Sequence, residues 1–172
     1  MSATGWNLMA AYQYSDTHPS LKLLEEHWQI IRDEYLVAAN LVTQWPEAYL
    51  HNGLWDVLGI HYPDQTMPGE SMCPSTKALV QQIPGLLLAG FSVLRPGCVV
   101  LPHVGAVEGV WRSHLGLICP PHAWLEVLGE RRVAQEGKVA VFDDRNLHCA
   151  GNDGETDRVV LIVDFWKDLA AR

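Results

Sequence analysis

The segment Arg112-Ser113-His114-Leu115-Gly116-Leu117 alternates between two kinds of side chain along its length. Successive side chains of a β-strand point to opposite faces, so the arginine, the histidine and the glycine share one face, while the serine and both leucines share the other. An arginine and a histidine beside a glycine pack poorly in an apolar core, but they suit a polar cavity that holds an acid. The segment therefore predicts a strand that faces such a cavity.

Short segments rich in β-forming residues continue on both sides of this strand. Glycine and proline turns separate them, as at Arg95-Pro96-Gly97. The predicted strands are Leu86–Leu94, Cys98–Leu101, Arg112–Ile118, Trp124–Leu128, Lys138–Phe142 and Val159–Phe165. Six or more short strands predict a mainly β antiparallel sandwich or barrel with flanking helices, and a jelly-roll, cupin-like barrel offers a pocket between its sheets.

The first half of the chain predicts the helices. Apolar residues recur there at steps of three and four, which places them on one helical stripe; they are Leu21, Leu24, Trp28, Ile31, Tyr35 and Ala38. A second helix is predicted at 74–83, ending at Pro84-Gly85. The segment 46–72 is predicted to be a loop with a short strand at 54–60, and residues 1–17 to be irregular.

Length and composition predict one catalytic domain over residues 1–172. A chain of 172 residues with 48% apolar residues can bury a substantial core. We expect a helical flank at about 18–84 and a β-barrel core at about 85–168.

Charge and hydropathy restrict the partners. A net charge of −8 without any basic run argues against nucleic acid, because phosphate binding needs clustered Lys and Arg. No apolar stretch reaches the roughly 18 residues of a membrane span, and the N-terminus lacks the pattern of a signal peptide. We therefore expect a cytoplasmic protein with a small-molecule or peptide substrate and no membrane partner. Nothing in the sequence indicates the oligomeric state.

Two histidines lie in strand-like surroundings, far apart in the sequence. His103 belongs to Pro102-His103-Val104-Gly105, and His148 follows Asp143-Asp144-Arg145-Asn146-Leu147. Arg158 comes ten residues after His148 and precedes an apolar run. Two histidines are typical iron(II) ligands, and arginine is a bidentate partner for a carboxylate. These residues predict one cavity for an iron ion and an anionic cosubstrate.

The third ligand of such a site is usually a carboxylate two residues after the first histidine. This chain has Gly105 there, so the sequence predicts a site held by two protein ligands. Glu108 and Asp144 are alternative sources of an acid. A single histidine is more often a core or surface residue than a ligand, and only the joint order of His103, His148 and Arg158 favours the metal site.

Together these segments resemble the aspartyl/asparaginyl β-hydroxylase family of iron(II)- and 2-oxoglutarate-dependent dioxygenases. The resemblance is strong over 91–169 and weaker over 18–90. Gly105 supports it, since family members share a glycine at this position. The motifs that carry it are Phe91-Ser92, Arg95-Pro96-Gly97, Pro102-His103-Val104-Gly105, Arg112-Ser113-His114-Leu115-Gly116-Leu117, Glu136-Gly137-Lys138, Val141-Phe142-Asp143-Asp144 and the run from Arg158 to Trp166.

The resemblance implies a double-stranded β-helix that uses Fe(II), 2-oxoglutarate and O₂. It implies that His103 and His148 are the catalytic metal ligands. It also implies cosubstrate-binding residues: Arg158 and Ser92 would hold the distal carboxylate, while Arg112 and His114 would line the site near the other end of the cosubstrate or the substrate.

The implied reaction is hydroxylation of an unactivated C–H bond with release of succinate and CO₂. The β-carbon of Asp, Asn or a related residue is the expected target, in a free amino acid, a carrier-tethered amino acid or a peptide. Val110 stands where some members that modify aspartyl residues have an arginine, so fewer fixed positive charges await an acidic side chain. The alternatives are a halogenase of the same cofactor class and a non-catalytic cupin-like binding module.

Overall fold

The computed structural model describes residues 10–169. The segment 1–17 was expected to be irregular; residues 1–9 lie outside the described residues, and the rest contains a two-residue strand at Gln13–Tyr14. Within this range three α-helices are present: α1 (Lys22–Glu26), α2 (Trp28–Ala38) and α3 (Pro74–Val80). None of the helices described is both long and apolar enough to cross a membrane.

The first predicted helix is interrupted at His27. This residue leaves the helical conformation, with φ −114° and ψ 14°, and its Nδ1 lies 2.9 Å from the Leu23 carbonyl oxygen. Leu24 and Ile31, on either side of the break, are both fully buried. The apolar stripe thus continues across the break, which is why its spacing predicted one helix where the structure has two.

Eleven strands form two antiparallel sheets. In chain order they are β1 (Gln13–Tyr14), β2 (Thr43–Gln44), β3 (Trp55–His61), β4 (Leu86–Leu94), β5 (Val99–His103), β6 (Val110–Ile118), β7 (Ala123–Val127), β8 (Glu130–Arg132), β9 (Val139–Asp143), β10 (His148–Asn152) and β11 (Arg158–Trp166). The larger sheet has the order β1-β9-β6-β11-β4-β3-β2, and the smaller has the order β5-β10-β7-β8. The predicted mainly β jelly-roll architecture is confirmed, although the sheets form an open sandwich and not a closed barrel.

Two apolar clusters hold these layers together. One lies between the helices and the outer face of the larger sheet, where Leu115, Leu117, Leu161 and Val163 are fully or almost fully buried. The other lies between the two sheets. Because both faces of the central strands are covered, β11 reads as an almost continuous apolar run. The alternation predicted for β6 is confirmed, since its leucines face the helices.

The two edges of the sandwich differ. At one edge an isolated bridge from His51 to Val100 links the region beside β3 to β5 of the smaller sheet. At the other edge β1 faces β8, and the hydroxyl of Tyr12 donates to the Leu125 carbonyl oxygen at 2.9 Å. The side chains around this second edge enclose a cavity, which is described below.

Candidate metal and cosubstrate site

His103 and His148 are direct neighbours in the smaller sheet. β5 and β10 pair with these residues in register, and the ring centroids are 4.2 Å apart. The Nδ1 atom of His103 lies 2.8 Å from the Leu101 carbonyl oxygen, and that of His148 lies 2.8 Å from the Asn146 carbonyl oxygen. A carbonyl can only accept, so Nδ1 carries a proton in both rings and Nε2 is the atom left to bind a metal ion.

Burial keeps the second imidazole neutral. His148 is 5% exposed, and burial is the main cause that lowers its pKa to about 4. Its Nε2 atom is buried and has no hydrogen-bond partner. A neutral imidazole with a free nitrogen is the form that binds a metal ion.

Asp144 brings a carboxylate next to this pair. Its Oδ1 atom lies 3.9 Å from Nε2 of His148, and burial raises the pKa of this carboxyl. The exposed Glu108 is poorly placed as a substitute acid. Within residues 10–169 no group of three or more His, Cys, Asp or Glu side chains is arranged to hold a metal ion. The arrangement is therefore two histidines with one carboxylate just beyond contact.

Gly105 makes this placement of the carboxylate possible. A Cβ atom at this position would lie 1.7 Å from Oδ2 of Asp144, so any other residue would collide with the carboxylate. The Gly105 amide also donates to the Asp144 carbonyl oxygen at 2.7 Å. The carboxylate of Asp144 thus lies in the region where an acidic side chain at position 105 would lie.

Arg112 is already paired with two carboxylates of the protein. Its Nε and Nη2 atoms donate to Asp164 at 2.8 and 2.6 Å, and its Nη1 atom lies 2.8 Å from Oδ1 of Asp144. Although burial disfavours the charge, these carboxylates hold the pKa of Arg112 above its ordinary value. Contact between Arg112 and the cosubstrate stays a prediction. In the structure Arg112 holds the carboxylate of Asp144 in place.

Arg158 is a buried cation that no carboxylate neutralises among the described residues. It is 2% exposed, its Nη2 atom lies 3.4 Å from Nδ1 of His114, and its Nε atom has no hydrogen-bond partner. Burial lowers its pKa to about 10. An unpaired buried charge is costly, so this guanidinium favours a bound anion.

Two neighbours complete the surroundings of Arg158. His114 is neutral, because burial and the adjacent guanidinium push its pKa well below the ordinary value. The Ser92 hydroxyl accepts from Nε1 of Trp55 at 2.9 Å, so its own proton stays available to an anion. Ser92 lies opposite Val160 in the β4–β11 ladder, on the same side as Arg158. All three side chains face one space.

Two aromatic residues of the site were not predicted. Trp55 stacks on Trp45 with a centroid distance of 4.2 Å, and its ring lies 6.4 Å from that of His103. The ring of Phe142 contacts both His148 at 5.1 Å and His114 at 5.3 Å. Their sequence signal was only that of buried aromatic residues in strands.

Two cavities meet at Arg158. The cavity on the metal side has a volume of about 30 Å³ and is lined by His103, His148 and Ser92, among others. The cavity at the β1–β8 edge has a volume of about 430 Å³. Arg158 and His114 line both cavities. The structure thus brings all six predicted site residues to the walls of one pair of adjoining cavities.

Exposed apolar side chains lie next in the chain to residues of the paired histidine strands. Val104, Leu128 and Leu147 are 46%, 52% and 53% exposed. Val104 follows His103 of β5, Leu128 follows Val127 of β7, and Leu147 precedes His148 of β10. The Leu128 amide donates to the Leu147 carbonyl oxygen at 2.9 Å. We refer to these three residues as the apolar rim.

Solved structures share the fold. A Pseudomonas putida prolyl-4-hydroxylase matches with a TM-score of 0.54 and 15% identity, covering 82% of this chain and 88% of that one. SnoN, a non-heme alpha ketoglutarate dependent epimerase from nogalamycin biosynthesis, matches with a TM-score of 0.52 and 13% identity, covering 86% and 83%. At these identities the likeness concerns the fold alone.

Curated relatives are similar in sequence. An ornithine lipid ester-linked acyl 2-hydroxylase of Rhizobium tropici is 48% identical over 100 residues, which are 56% of this chain and 36% of the relative. The aspartyl/asparaginyl beta-hydroxylase of Homo sapiens is 31% identical over 159 residues, which are 85% of this chain and 21% of the relative. This chain thus spans about a third and a fifth of their lengths.

The aspartyl/asparaginyl beta-hydroxylase family matches residues 25–168. This range contains both paired histidines, the buried arginine and the glycine that accommodates Asp144. The chain belongs to the aspartyl/asparaginyl β-hydroxylase family.

Proposed function

We propose that this protein is an iron(II)- and 2-oxoglutarate-dependent hydroxylase. The observation that carries the proposal is that two adjacent imidazoles, of which His148 is neutral with a free Nε2 atom, line one cavity together with a buried guanidinium that has no carboxylate partner among the described residues. The first two are suited to an iron ion and the third to an anion. A 2-oxo diacid has both a chelating end and a distal carboxylate, so it matches both requirements at once.

The residues present fit these groups. His103 and His148 would hold the ion, and Arg158 with Ser92 would hold the distal carboxylate. When bound, iron, 2-oxoglutarate and O₂ supply the oxidising chemistry, with succinate and CO₂ as co-products. The protein contributes two imidazole ligands, a fixed cation for orientation and, through Asp144, a negative charge beside the metal position.

The first candidate substrate is an amino acid, hydroxylated at the β-carbon of Asp, Asn or a related residue. Family membership supports it, as does the resemblance to the human aspartyl/asparaginyl beta-hydroxylase over most of this chain. The amino acid would be free, carrier-tethered or part of a peptide.

The second candidate substrate is an acyl chain. The apolar rim favours it, because three exposed aliphatic side chains beside the metal side would contact a hydrocarbon and gain little from a charged amino acid. The 48% identity to an ornithine lipid ester-linked acyl 2-hydroxylase also supports it.

The halogenase alternative is disfavoured by Asp144. Chloride would have to bind beside Gly105, next to the carboxylate of Asp144. The negative charges of the chloride and the carboxylate would repel each other. The binding-module alternative predicts binding of 2-oxoglutarate without turnover.

One experiment separates these functions. The protein is loaded with iron(II) and 2-oxoglutarate without oxygen, O₂ is admitted, and amino acids, peptides and acyl-bearing amphiphiles are screened for a mass gain of one oxygen atom. We expect one class to gain oxygen with stoichiometric succinate, and His148→Ala to give neither. Binding of 2-oxoglutarate without any succinate would favour the binding module, and a chlorinated product would favour the halogenase.

A further inference from the structure

Arg158 can be approached from two sides. On the metal side it borders a cavity of about 30 Å³, which has room for about one or two water molecules. On the other side it borders the cavity of about 430 Å³ at the edge between β1 and β8. The larger cavity therefore offers the wider approach to Arg158.

The larger cavity reaches the surface. Its outer walls include exposed side chains of Tyr14, Arg132, Gln135 and Lys138. Its inner end is formed by His114 and Arg158. The cavity therefore runs from solvent to the buried guanidinium without passing the two histidines or the apolar rim.

The charge of this cavity suits a dianion. Its lining includes Arg132, Lys138 and Arg158 but no aspartate or glutamate. Arg132 donates a hydrogen bond to the Glu130 carboxylate and lies over the Tyr12 ring, so its positive charge is partly neutralised. Lys138 forms no salt bridge within the described residues. Glu25 lies beside the opening, since its Oε1 atom accepts from the Val139 amide at 2.9 Å. The charged residues of the lining itself are all positive, which favours the entry of anions.

One wall of the cavity is held tightly in place. A Cβ atom at Gly116 would lie 2.2 Å from the Gln135 carbonyl oxygen, so the segment at 135–138 approaches β6 only because this residue is glycine. The Gly137 amide donates to the Gly116 carbonyl oxygen at 2.9 Å, and the Gly116 amide donates to the Lys138 carbonyl oxygen at 3.0 Å. The opening beside Gln135 is therefore part of the fixed scaffold.

We propose that this cavity, which we name the anion port, is the route by which the 2-oxo diacid reaches Arg158 and by which the product diacid leaves. The organic substrate would use the metal side, bordered by the apolar rim. Separate routes would let the diacid exchange while the substrate stays bound. The inference rests on the proposed function, because it requires a diacid bound at Arg158.

Binding kinetics test the port without turnover. Association and dissociation of 2-oxoglutarate are followed in the anaerobic iron(II)-loaded protein by stopped-flow absorption. We expect Gln135→Trp, which narrows the port, to slow both rates by about five-fold or more while the equilibrium affinity changes little, since a barrier acts on both directions. Leu147→Trp, which adds the same side chain at an exposed position next to His148 and outside the port, is the matched control and should leave both rates near those of the wild type.

Charge provides a second test that leaves the shape of the port intact. Lys138→Glu should slow association by about three-fold or more at low salt, and added salt should remove most of the difference. Lys77→Glu, which makes the same charge change on α3, should have a smaller effect. This pair also decides the matter if circular dichroism shows that Gln135→Trp does not fold.

Failure of the proposed function and failure of the anion port give different results. If the wild type binds no 2-oxoglutarate, the proposed function is wrong. If it binds, but Gln135→Trp exchanges at the wild-type rate or Leu147→Trp slows exchange as much, the diacid uses the metal side and the port is refuted. Equal effects of Lys138→Glu and Lys77→Glu would refute it likewise.

Discussion

The carboxylate of Asp144 fills the space that a side chain at Gly105 would need. The two residues are also joined through the backbone, where the Gly105 amide donates to the Asp144 carbonyl oxygen. The site therefore keeps a carboxylate near the histidine pair, although the acid is absent from the position two residues after His103. Arg112 holds this aspartate in place, with its Nη1 atom 2.8 Å from Oδ1 of Asp144. The carboxylate therefore stands beside the histidine pair as a partner of Arg112 and not in the place of a metal ligand.

Replacing Gly105 by aspartate should not increase activity. The new Cβ would collide with Asp144, so Gly105→Asp and Gly105→Ala should both lower the free energy of unfolding, by about 1–3 kcal/mol. Urea unfolding and succinate release would measure the two effects. A double variant that also carries Asp144→Gly should recover only part of the stability, because the collision with the carboxylate disappears, while the Cβ atom still lies 2.9 Å from the carbonyl oxygen of residue 144 and Arg112 loses one partner. Higher turnover of Gly105→Asp alone would contradict this interpretation.

His148→Ala should abolish high-affinity iron binding and 2-oxoglutarate turnover, because only one of the two imidazoles remains. Anaerobic iron titration and succinate release would measure the loss. His122→Ala is the matched control, since His122 is exposed in a turn before β7, and it should bind iron as the wild type does. Succinate production near the wild-type rate by His148→Ala would count heavily against the metal site.

Arg158→Lys should bind 2-oxoglutarate about ten-fold more weakly, because an ammonium group cannot form the two parallel hydrogen bonds of a guanidinium. Calorimetric titration of the anaerobic iron-loaded protein would measure the affinity. Arg131→Lys changes an arginine that lies over Trp124 at the surface, and should leave the affinity unchanged. Equal affinities for Arg158→Lys and the wild type would mean that the diacid binds elsewhere.

Asp164→Asn should destabilise the protein by about 2–4 kcal/mol, because it removes the bidentate partner of a buried guanidinium. Asp143→Asn is a suitable comparison, since the side chain of Asp143 pairs with Lys167 and is 15% exposed against 6% for Asp164. Its effect should be clearly smaller. Thermal and urea unfolding would show the difference, and similar losses in both variants would argue against a special role for the Arg112 pair.

The metal-free protein should lose stability as the pH falls from 6.5 towards 4. The pKa of His148 is lowered to about 4 in the folded state, so in this range the unfolded chain binds a proton that the folded protein does not. At about pH 4.5 this effect is on the order of 2 kcal/mol, at about 1.4 kcal/mol for each pKa unit. The raised pKa of Asp144 acts in the opposite direction.

A variant isolates the histidine's share of this pH dependence. His148→Asn should show a smaller loss of unfolding free energy between pH 6.5 and 4.5 than the wild type, whereas His122→Asn should follow the wild type. Urea unfolding at each pH gives the values. Identical pH profiles for all three proteins would show that folding does not shift the pKa of His148.

Much of the fold follows from local patterns. All six strands predicted after residue 85 are present with small shifts at their ends, because their alternation and turns are encoded in neighbouring residues. β8 and β10 were not predicted. β8 is made entirely of charged residues, and β10, His148–Asn152, contains Gly151 and lacks β-branched residues. Both form strands because they pair with neighbouring strands of the smaller sheet. Such tertiary contacts are not encoded in the local sequence.

The candidate site was predictable only in its residue types. The order of His103, His148 and Arg158 indicated a metal and an anion, and the face shared by Arg112 and His114 followed from strand alternation. The partners of Arg112 lie 32 and 52 residues further along the chain, at Asp144 and Asp164. No spacing rule indicates such a pairing. The sequence therefore predicted that Arg112 lines the site, but gave no sign that two carboxylates of the protein neutralise it.

The stacked indoles of Trp45 and Trp55 give the protein a built-in optical probe. Trp55 lies 6.4 Å from the His103 ring, close enough for a paramagnetic ion at that imidazole to quench its fluorescence. Titrating the metal-free protein with iron(II) should therefore dim part of the emission, and Trp55→Phe should remove that part. Metal occupancy can then be followed by light alone, before any substrate has been identified.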